Sequence, residues 1–175
     1  YELDILKLAQ RYTKRWAEQL PKDGPPIELY VVGIHGGWIE EDVMDACPRI
    51  RLTACDVNPN ANSAIQRLLA KFPDRVAFHK VEAHHCDWTP PGRANTYDVV
   101  FCFEVIEHVP DDVRMVEEFL SLLKPGGELL LSTPIAEYWV APDATKRHHW
   151  HQHVRAYQPE QLWELLWSHG FRGDI

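Results

Sequence analysis

Residues 28 to 58 read as a strand, a glycine turn, a helix and a second strand closed by a carboxylate, an order that few folds accept. The apolar run Leu29 to Val32 ends at Gly33, Gly36 and Gly37; a helical stretch follows, and the second apolar run, Ile50 to Cys55, ends in Asp56. In a doubly wound α/β sheet such a turn lets the backbone approach a ligand closely, and an acid after the second strand can hold a ribose hydroxyl pair. Glycine suits the turn because it adopts φ > 0 without penalty and has no side chain to block the ligand. Any tight turn uses glycine, so the acid at this distance carries most of the inference. The competing reading of Asp56 is a turn acid, because Asp-Val-Asn-Pro-Asn is good loop chemistry.

The rest of the chain repeats the alternation. Leu3, Leu6, Leu8, Tyr12, Trp16 and Leu20 recur at roughly helical spacing, which predicts a leading amphipathic helix over residues 2–20. Breakers from Pro21 to Pro26 separate it from the first strand. Trp38 to Ala46 reads as helix with acids near its positive N-terminal end, and Asn60 or Asn62 can cap a helix that runs to Lys71. Val76 to Val81 and Tyr97 to Phe103 read as strands, the latter apolar on both faces. Pro110-Asp111-Asp112 starts a helix through Leu123, and Lys124-Pro125-Gly126-Gly127 turns into a fifth strand, Glu128 to Ser132. Pro159 opens a last helix through His169, Gly170 caps it, and Phe171 is expected to start a further strand. Strands alternating with helices imply a mostly parallel, doubly wound sheet with helices on both faces. One domain over residues 1–175 is expected: a leading helix (1–20), a core (28–133), a loop (134–157) and a final helix with the start of a strand (158–175).

Charge and cysteine usage narrow the function classes. The net charge of −8 argues against a broad nucleic-acid footprint, although a small basic patch remains open. No apolar stretch approaches the ~20 residues of a membrane span. The four cysteines have no CxxC spacing, and Cys55 and Cys102 lie in apolar runs, as thiols of a reducing, cytoplasmic compartment do. The chain opens at Tyr1 and stops soon after Gly170-Phe171, so a fragment of a longer chain, cut at its C-terminus, is expected.

Three stretches, in this order and spacing, carry a family resemblance. They are Tyr97-Asp98-Val99-Val100 through Glu104-Val105-Ile106-Glu107-His108-Val109-Pro110, then Leu123-Lys124-Pro125-Gly126-Gly127 through Ser132-Thr133-Pro134, then His153-Val154-Arg155 with Tyr157. The chain resembles the class I S-adenosylmethionine-dependent methyltransferases, in particular the ubiquinone-type O-methyltransferase group. The resemblance implies a Rossmann-like fold in which Gly33, His35 and Gly37 flank the methionine part of S-adenosyl-L-methionine. It implies that Asp56 holds the ribose, that Val57 and Asn58 lie beside the adenine, and that Asp87 with Trp88 meets the adenine amino group. Glu82 is an alternative to Asp87. Glu104 is implied to touch the cofactor. Two positions depart from the family pattern: Val31 stands where it has an acid, and His35 where it has glycine.

Glu104, Glu107 and His108 stand at i, i+3 and i+4 just beyond the fourth strand, so one helical turn puts all three on a face. Two carboxylates and an imidazole can ligate Mg²⁺ or another divalent ion. The small-RNA 2′-O-methyltransferases also resemble the chain here, and the resemblance to both groups implies a metal. The bland reading has Glu104 at the cofactor and the other two on the surface or packed near the cleft. Downstream, His148, His149, His151 and His153 crowd a loop that also holds Trp139 and Trp150, in the place where this fold puts its substrate lid. His108, His149 and His153 are the candidate catalytic bases, imidazole being the side chain that titrates nearest neutrality. The expected reaction is methyl transfer to a hydroxyl of a small-molecule or sugar-like acceptor, with the oligomeric state open. A metal-dependent RNA-end 2′-O-methyltransferase and a catalytically silent binding module with the same fold are the alternatives.

Overall fold

Five strands pair into one sheet in the order β3-β2-β1-β4-β5, and every pairing is parallel. They are β1 (Ile27–Val32), β2 (Ile50–Asp56), β3 (Val76–Lys80), β4 (Tyr97–Phe103) and β5 (Leu123–Ser132). The computed structural model describes residues 2–19, 23–57, 61–81, 88–136 and 153–173. α1 (Glu2–Gln19) precedes β1, α2 (Trp38–Ala46), α3 (Asn62–Lys71) and α4 (Asp112–Leu122) run between strands, and α5 (Pro159–Ser168) follows β5. The chain therefore starts at the sheet's centre, winds out through β2 and β3, then crosses back to β4 and β5. That reversal beside β1 opens a crevice at the carboxyl ends of β1 and β4, where ligands bind in this architecture.

Alternation along the strands explains why both faces are covered. Successive side chains of a strand point to opposite faces. Leu29 and Val31 enter the apolar cluster formed with α1, α2 and α3, while Tyr30 and Val32 enter the cluster formed with α4 and α5. The central strands are thus apolar at nearly every position, as doubly covered parallel strands require.

α1 packs on α2 and is tied to the far side of the sheet. Its buried side chains Ile5, Ala9 and Trp16 lie along one stripe. The Trp16 ring stacks on Phe101 of β4, with centroids 6.4 Å apart, and its Nε1 donates to Glu128 Oε2 of β5 at 3.2 Å. Arg15 also donates to Glu128. This anchorage brings Ile5, at the other end of the helix, over the carboxyl ends of the strands.

Three sequence expectations change in detail. Asn62 is the first residue of α3, whose N-cap, Ala61, makes no side-chain hydrogen bond; Asn60 lies outside the described residues. Lys124-Pro125-Gly126-Gly127 is a bulge inside one long strand: Tyr97 pairs with Leu123, Val99 with Glu128, and α4 ends one residue earlier than expected. The Lys124 ammonium spans that bulge to the Asp98 carboxylate at 2.8 Å. Phe171 starts no strand. Its N–H donates to Leu166 O and the Gly170 N–H to Trp167 O, so these two residues close α5 with a Schellman turn, and Phe171 packs on the apolar cluster. Asp111 is the N-cap of α4, its carboxylate accepting from the Arg114 N–H at 3.0 Å. Among the described residues no helix is long and apolar enough to cross a membrane.

Because Trp16 is only 7% exposed and joins α1 to both β4 and β5, Trp16→Ala should destabilise the chain strongly. A loss of about 3–5 kcal/mol is expected in urea unfolding, the usual cost of deleting a buried aromatic ring.

Candidate functional site

The turn after β1 is held by backbone and carboxylate together. The Gly33 N–H donates to Cys55 O, and the Ile34 N–H donates to Asp56 Oδ2, each at 2.9 Å. Gly33 has φ 80°, and a Cβ there would lie 2.4 Å from Val105 Cγ2, so the position admits only glycine. Gly37 has φ 71°, and a Cβ there would meet the Ala64 Cβ of α3 at 3.0 Å. Arg67 of α3 completes the clamp by donating to Gly36 O at 2.6 Å and to Glu41 at 3.0 Å. His35 takes the left-handed conformation too, with φ 46°. For a side-chain-bearing residue that costs about 1–2 kcal/mol. Its ring offsets part of the strain through a 3.2 Å hydrogen bond with Phe103 O, joining the turn to the end of β4.

A cavity of about 170 Å³ opens over this turn, walled by Ile5 of α1, residues 33–40, Phe103 and Glu104. Its side chains include two carboxyls and no lysine or arginine. Glu40 is one of them. It sits in the first turn of α2, only 4% exposed, and burial raises its pKa to about 8. The Asp56 charge pushes in the same direction, while its own backbone amide and the Arg67 charge pull the other way.

Beyond β4 the chain is again strained. Glu104 has φ 55° and accepts a 2.8 Å hydrogen bond from Ser132 Oγ of β5. A single 3-10 turn, Ile106–His108, follows, so Glu104 stands outside the turn that the i, i+3, i+4 spacing suggested. Glu107 is 1% exposed; its Oε2 accepts from Thr133 Oγ1 at 3.1 Å. Its Oε1 is buried and makes no hydrogen bond. His108 Nε2 and His153 Nε2 each lie 3.9 Å from that oxygen, and the two imidazoles meet edge to face at 4.8 Å. Burial, reinforced by the Glu104 charge, raises the Glu107 pKa to about 7, against the pull of its backbone amide and Thr133. Glu107, His108 and His153 offer ligand atoms that all lie within 4.8 Å of one another. The metal-competent group among the described residues therefore has His153 where the sequence reading had Glu104, because Glu104 turns toward Ser132 and the cavity.

Local anchors fix His153. The Val154 N–H donates to Glu107 O at 2.8 Å, and Arg155 donates to Pro110 O at 2.5 Å and pairs with Asp112 at the start of α4. Tyr157 OH donates to Asp112 Oδ2 at 2.6 Å. Burial works to raise the Asp112 pKa, but Arg155 and Tyr157 hold it below the ordinary carboxylate value. The Ala136 N–H donates to Tyr157 O at 2.9 Å, which draws the two ends of the loop together. Next to these anchors is a second cavity of about 290 Å³ between α1, the end of β5 and the start of α5, its walls mostly apolar. Ile5 borders both cavities.

Of the residues singled out in the sequence, Gly33, His35, Gly37, Asp56 and Glu104 gather at one edge of the sheet, with Glu107, His108 and His153 beside them. Val57 follows Asp56, half-buried, against the α4–α5 side. Trp88 is buried in that same cluster, its carbonyl accepting from Tyr30 OH at 2.5 Å, and it does not line the cavity over the turn. Asn58, Glu82, Asp87, Trp139, His148, His149, Trp150 and His151 lie outside the described residues. Sequence reasoning missed Glu40, Ser132, Thr133 and Ile5 as parts of the site. Acids in a first helical turn are ordinarily solvated, and nothing in the spacing marks Glu40 as buried.

Comparison with known proteins gives the family. A family model described as a methyltransferase domain matches residues 7–174. The ubiquinone biosynthesis O-methyltransferase of Colwellia psychrerythraea is 26% identical over 160 residues, covering 83% of this chain and 61% of its own length. The chain spans about half the length of two further curated relatives that it matches, 48% and 51%. Among solved structures, the [4+2]-cyclase SpnF superimposes with a TM-score of 0.66 at 25% identity, covering 91% of this chain and 57% of that one. A phosphoethanolamine N-methyltransferase of Haemonchus contortus, in complex with S-adenosylhomocysteine, gives a TM-score of 0.68 at 18% identity over 92% of this chain and 37% of its own.

Glu40 generates a pH prediction. Its folded pKa, about 8, lies above the ordinary 4.5, so between those values the folded state holds a proton that the unfolded state has released. The ligand-free protein should therefore lose stability as pH rises from 5 to 8, and Glu40→Gln should flatten that slope. The loss is on the order of 5 kcal/mol at most for this one group. Urea unfolding at pH 5 and pH 8, wild type beside variant, checks it; equal slopes would refute the burial argument.

Proposed function

We propose, from the premise that the chain belongs to the methyltransferase domain family, that it transfers a methyl group from S-adenosyl-L-methionine to a hydroxyl of a small-molecule acceptor. The observation that carries the acceptor half of this reading is the Glu107–His108–His153 cluster, whose first two members follow the end of β4 a few residues after Glu104, a residue of the cavity wall.

The residues present fit the cofactor. The glycines let the backbone itself line the cavity, since a Cβ at Gly33 would clash with Val105 and one at Gly37 would crowd Ala64, and the carboxyls of Glu40 and Glu104 suit a ligand with positive groups. Gly33, His35 and Gly37 would border its methionine part, Asp56 its ribose, and Val57 and Asn58 its adenine. Asp87 with Trp88 remains the proposed contact to the adenine amino group. Bound S-adenosylmethionine supplies an electrophilic methyl group on a sulfonium, so the protein mainly aligns the acceptor and excludes water. In this reading His108 or His153 takes the acceptor's proton, each with its Nε2 3.9 Å from the Glu107 carboxylate.

The same cluster fits a divalent ion, because a buried carboxylate oxygen without a hydrogen bond faces two imidazole nitrogens. One carboxylate and two imidazoles suit a borderline transition ion better than Mg²⁺, whose preference is for oxygen. The adjoining cavity, lined by Ile5, Leu8, Leu131, Ile135 and Leu162, favours an acceptor with an apolar body over a sugar. The acidic net charge of −8 favours a small molecule over an RNA end.

Calorimetric titration with S-adenosylhomocysteine tests the cofactor half, and absence of binding would move the reading to a silent module. His108→Ala and His153→Ala, made separately, should keep that affinity within about twofold yet lower turnover on hydroxylated aromatic acceptors by about 10²-fold or more. Activity lost with a chelator and restored by Mn²⁺ or Zn²⁺ would support the metal; unchanged turnover in both variants would remove the cluster from the reaction.

A further inference from the structure

We infer that Glu40 is the anionic contact for the α-ammonium of the cofactor's methionine part, an assignment that rests on the cofactor reading above. Three observations converge on it. Glu40 is more than nine-tenths buried, yet it lines the cavity over the glycine turn. No lysine or arginine is among the side chains that line that cavity, and none lies within ion-pair distance of the Glu40 carboxyl among the described residues. Arg67, the nearest source of positive charge, spends its hydrogen bonds on Glu41 and Gly36 O.

A buried carboxyl left in that state is costly unless something positive meets it. Nearby Asp56 adds to the cost, since two acids in one low-dielectric region repel. The cavity's other acid, Glu104, is already bonded by Ser132 Oγ. Val31, on the strand below, is apolar and packed in the core, so it offers no charge. The cofactor's amino-acid end brings a cation and a carboxylate together. Glu40 matches the cation, and the backbone N–H groups that open α2 are of the polarity to meet the carboxylate. Burial that is unfavourable in the free protein becomes selective once a cation arrives, because water has already been removed from the carboxyl.

The test compares two ligands on two proteins by calorimetry: S-adenosylhomocysteine and its analogue lacking the α-amino group, on wild type and Glu40→Gln. Glutamine keeps the shape and drops the charge, and thermal unfolding confirms that the variant is folded. The wild type should prefer the amino-bearing ligand by about tenfold or more, the range of a desolvated charge-assisted hydrogen bond. Glu40→Gln should erase that preference by weakening S-adenosylhomocysteine while leaving the deaminated analogue within about twofold. Equal weakening of both ligands would overturn the assignment and place Glu40 against the nucleoside or the fold. A preference that survives in the variant, or one absent from the wild type, overturns it too, and the wild-type comparison needs no substitution at all. Failure of wild type to bind either ligand overturns the cofactor reading itself, and this assignment with it.

Discussion

The hydrogen bond from the Ile34 N–H to the Asp56 carboxylate is the contact on which the site's geometry depends. β1 is paired on both sides, so the residue after Val32 must leave the sheet at the point where β2 also ends. Asp56 catches the chain there, and the neighbouring bond from Gly33 to Cys55 O sets the angle of the turn. With that angle set, α2 starts against α3, Arg67 reaches Gly36 O, and the cavity over the turn has its floor. Asp56 therefore has a structural task that is independent of any ligand.

Unfavourable terms concentrate at this edge of the sheet. His35 and Glu104 both hold left-handed backbone, and Glu40 and Glu107 both bury carboxyls. Three of the four are held by their surroundings: His35 by its bond with Phe103 O, Glu104 by Ser132, and Glu107 by Thr133 at its carboxyl and by the Val154 N–H at its backbone carbonyl. Strain and burial of this kind cluster where a protein is prepared for a partner that supplies what the free state lacks. The proposed partners are a cation beside Glu40 and a divalent ion or proton beside Glu107.

α1 belongs to this edge although it precedes the sheet in the chain. Trp16, Arg15 and Glu128 secure one end of the helix to β4 and β5, so its other end projects over the strand termini. Ile5 then forms part of the wall of both the cavity over the glycine turn and the apolar cavity next to Tyr157. A change in how α1 sits would alter both spaces at once.

Residues 28 to 58 alone determined the order of elements, the glycine turn and the acid that ends β2, because each depends on local backbone preference and on the period of apolar side chains. The same logic located β4 and the start of α4 after Pro110, where the deciding chemistry lies within a few residues. The helical face expected for Glu104, Glu107 and His108 was not decided locally: the backbone reverses at Glu104 and only three residues form the turn. Spacing could bring His153 under suspicion, but its approach to Glu107 depends on Arg155 and Tyr157 reaching Asp112, which stands more than forty residues earlier in the chain. Glu40 was invisible as a site residue, since an acid in a first helical turn is solvated unless another element covers it, and the tertiary packing does cover it. Periodicity and turn chemistry are short-range properties and can be read from a chain. Burial, charge without a partner and the meeting of distant ligands exist only once the sheet has brought its strand ends together.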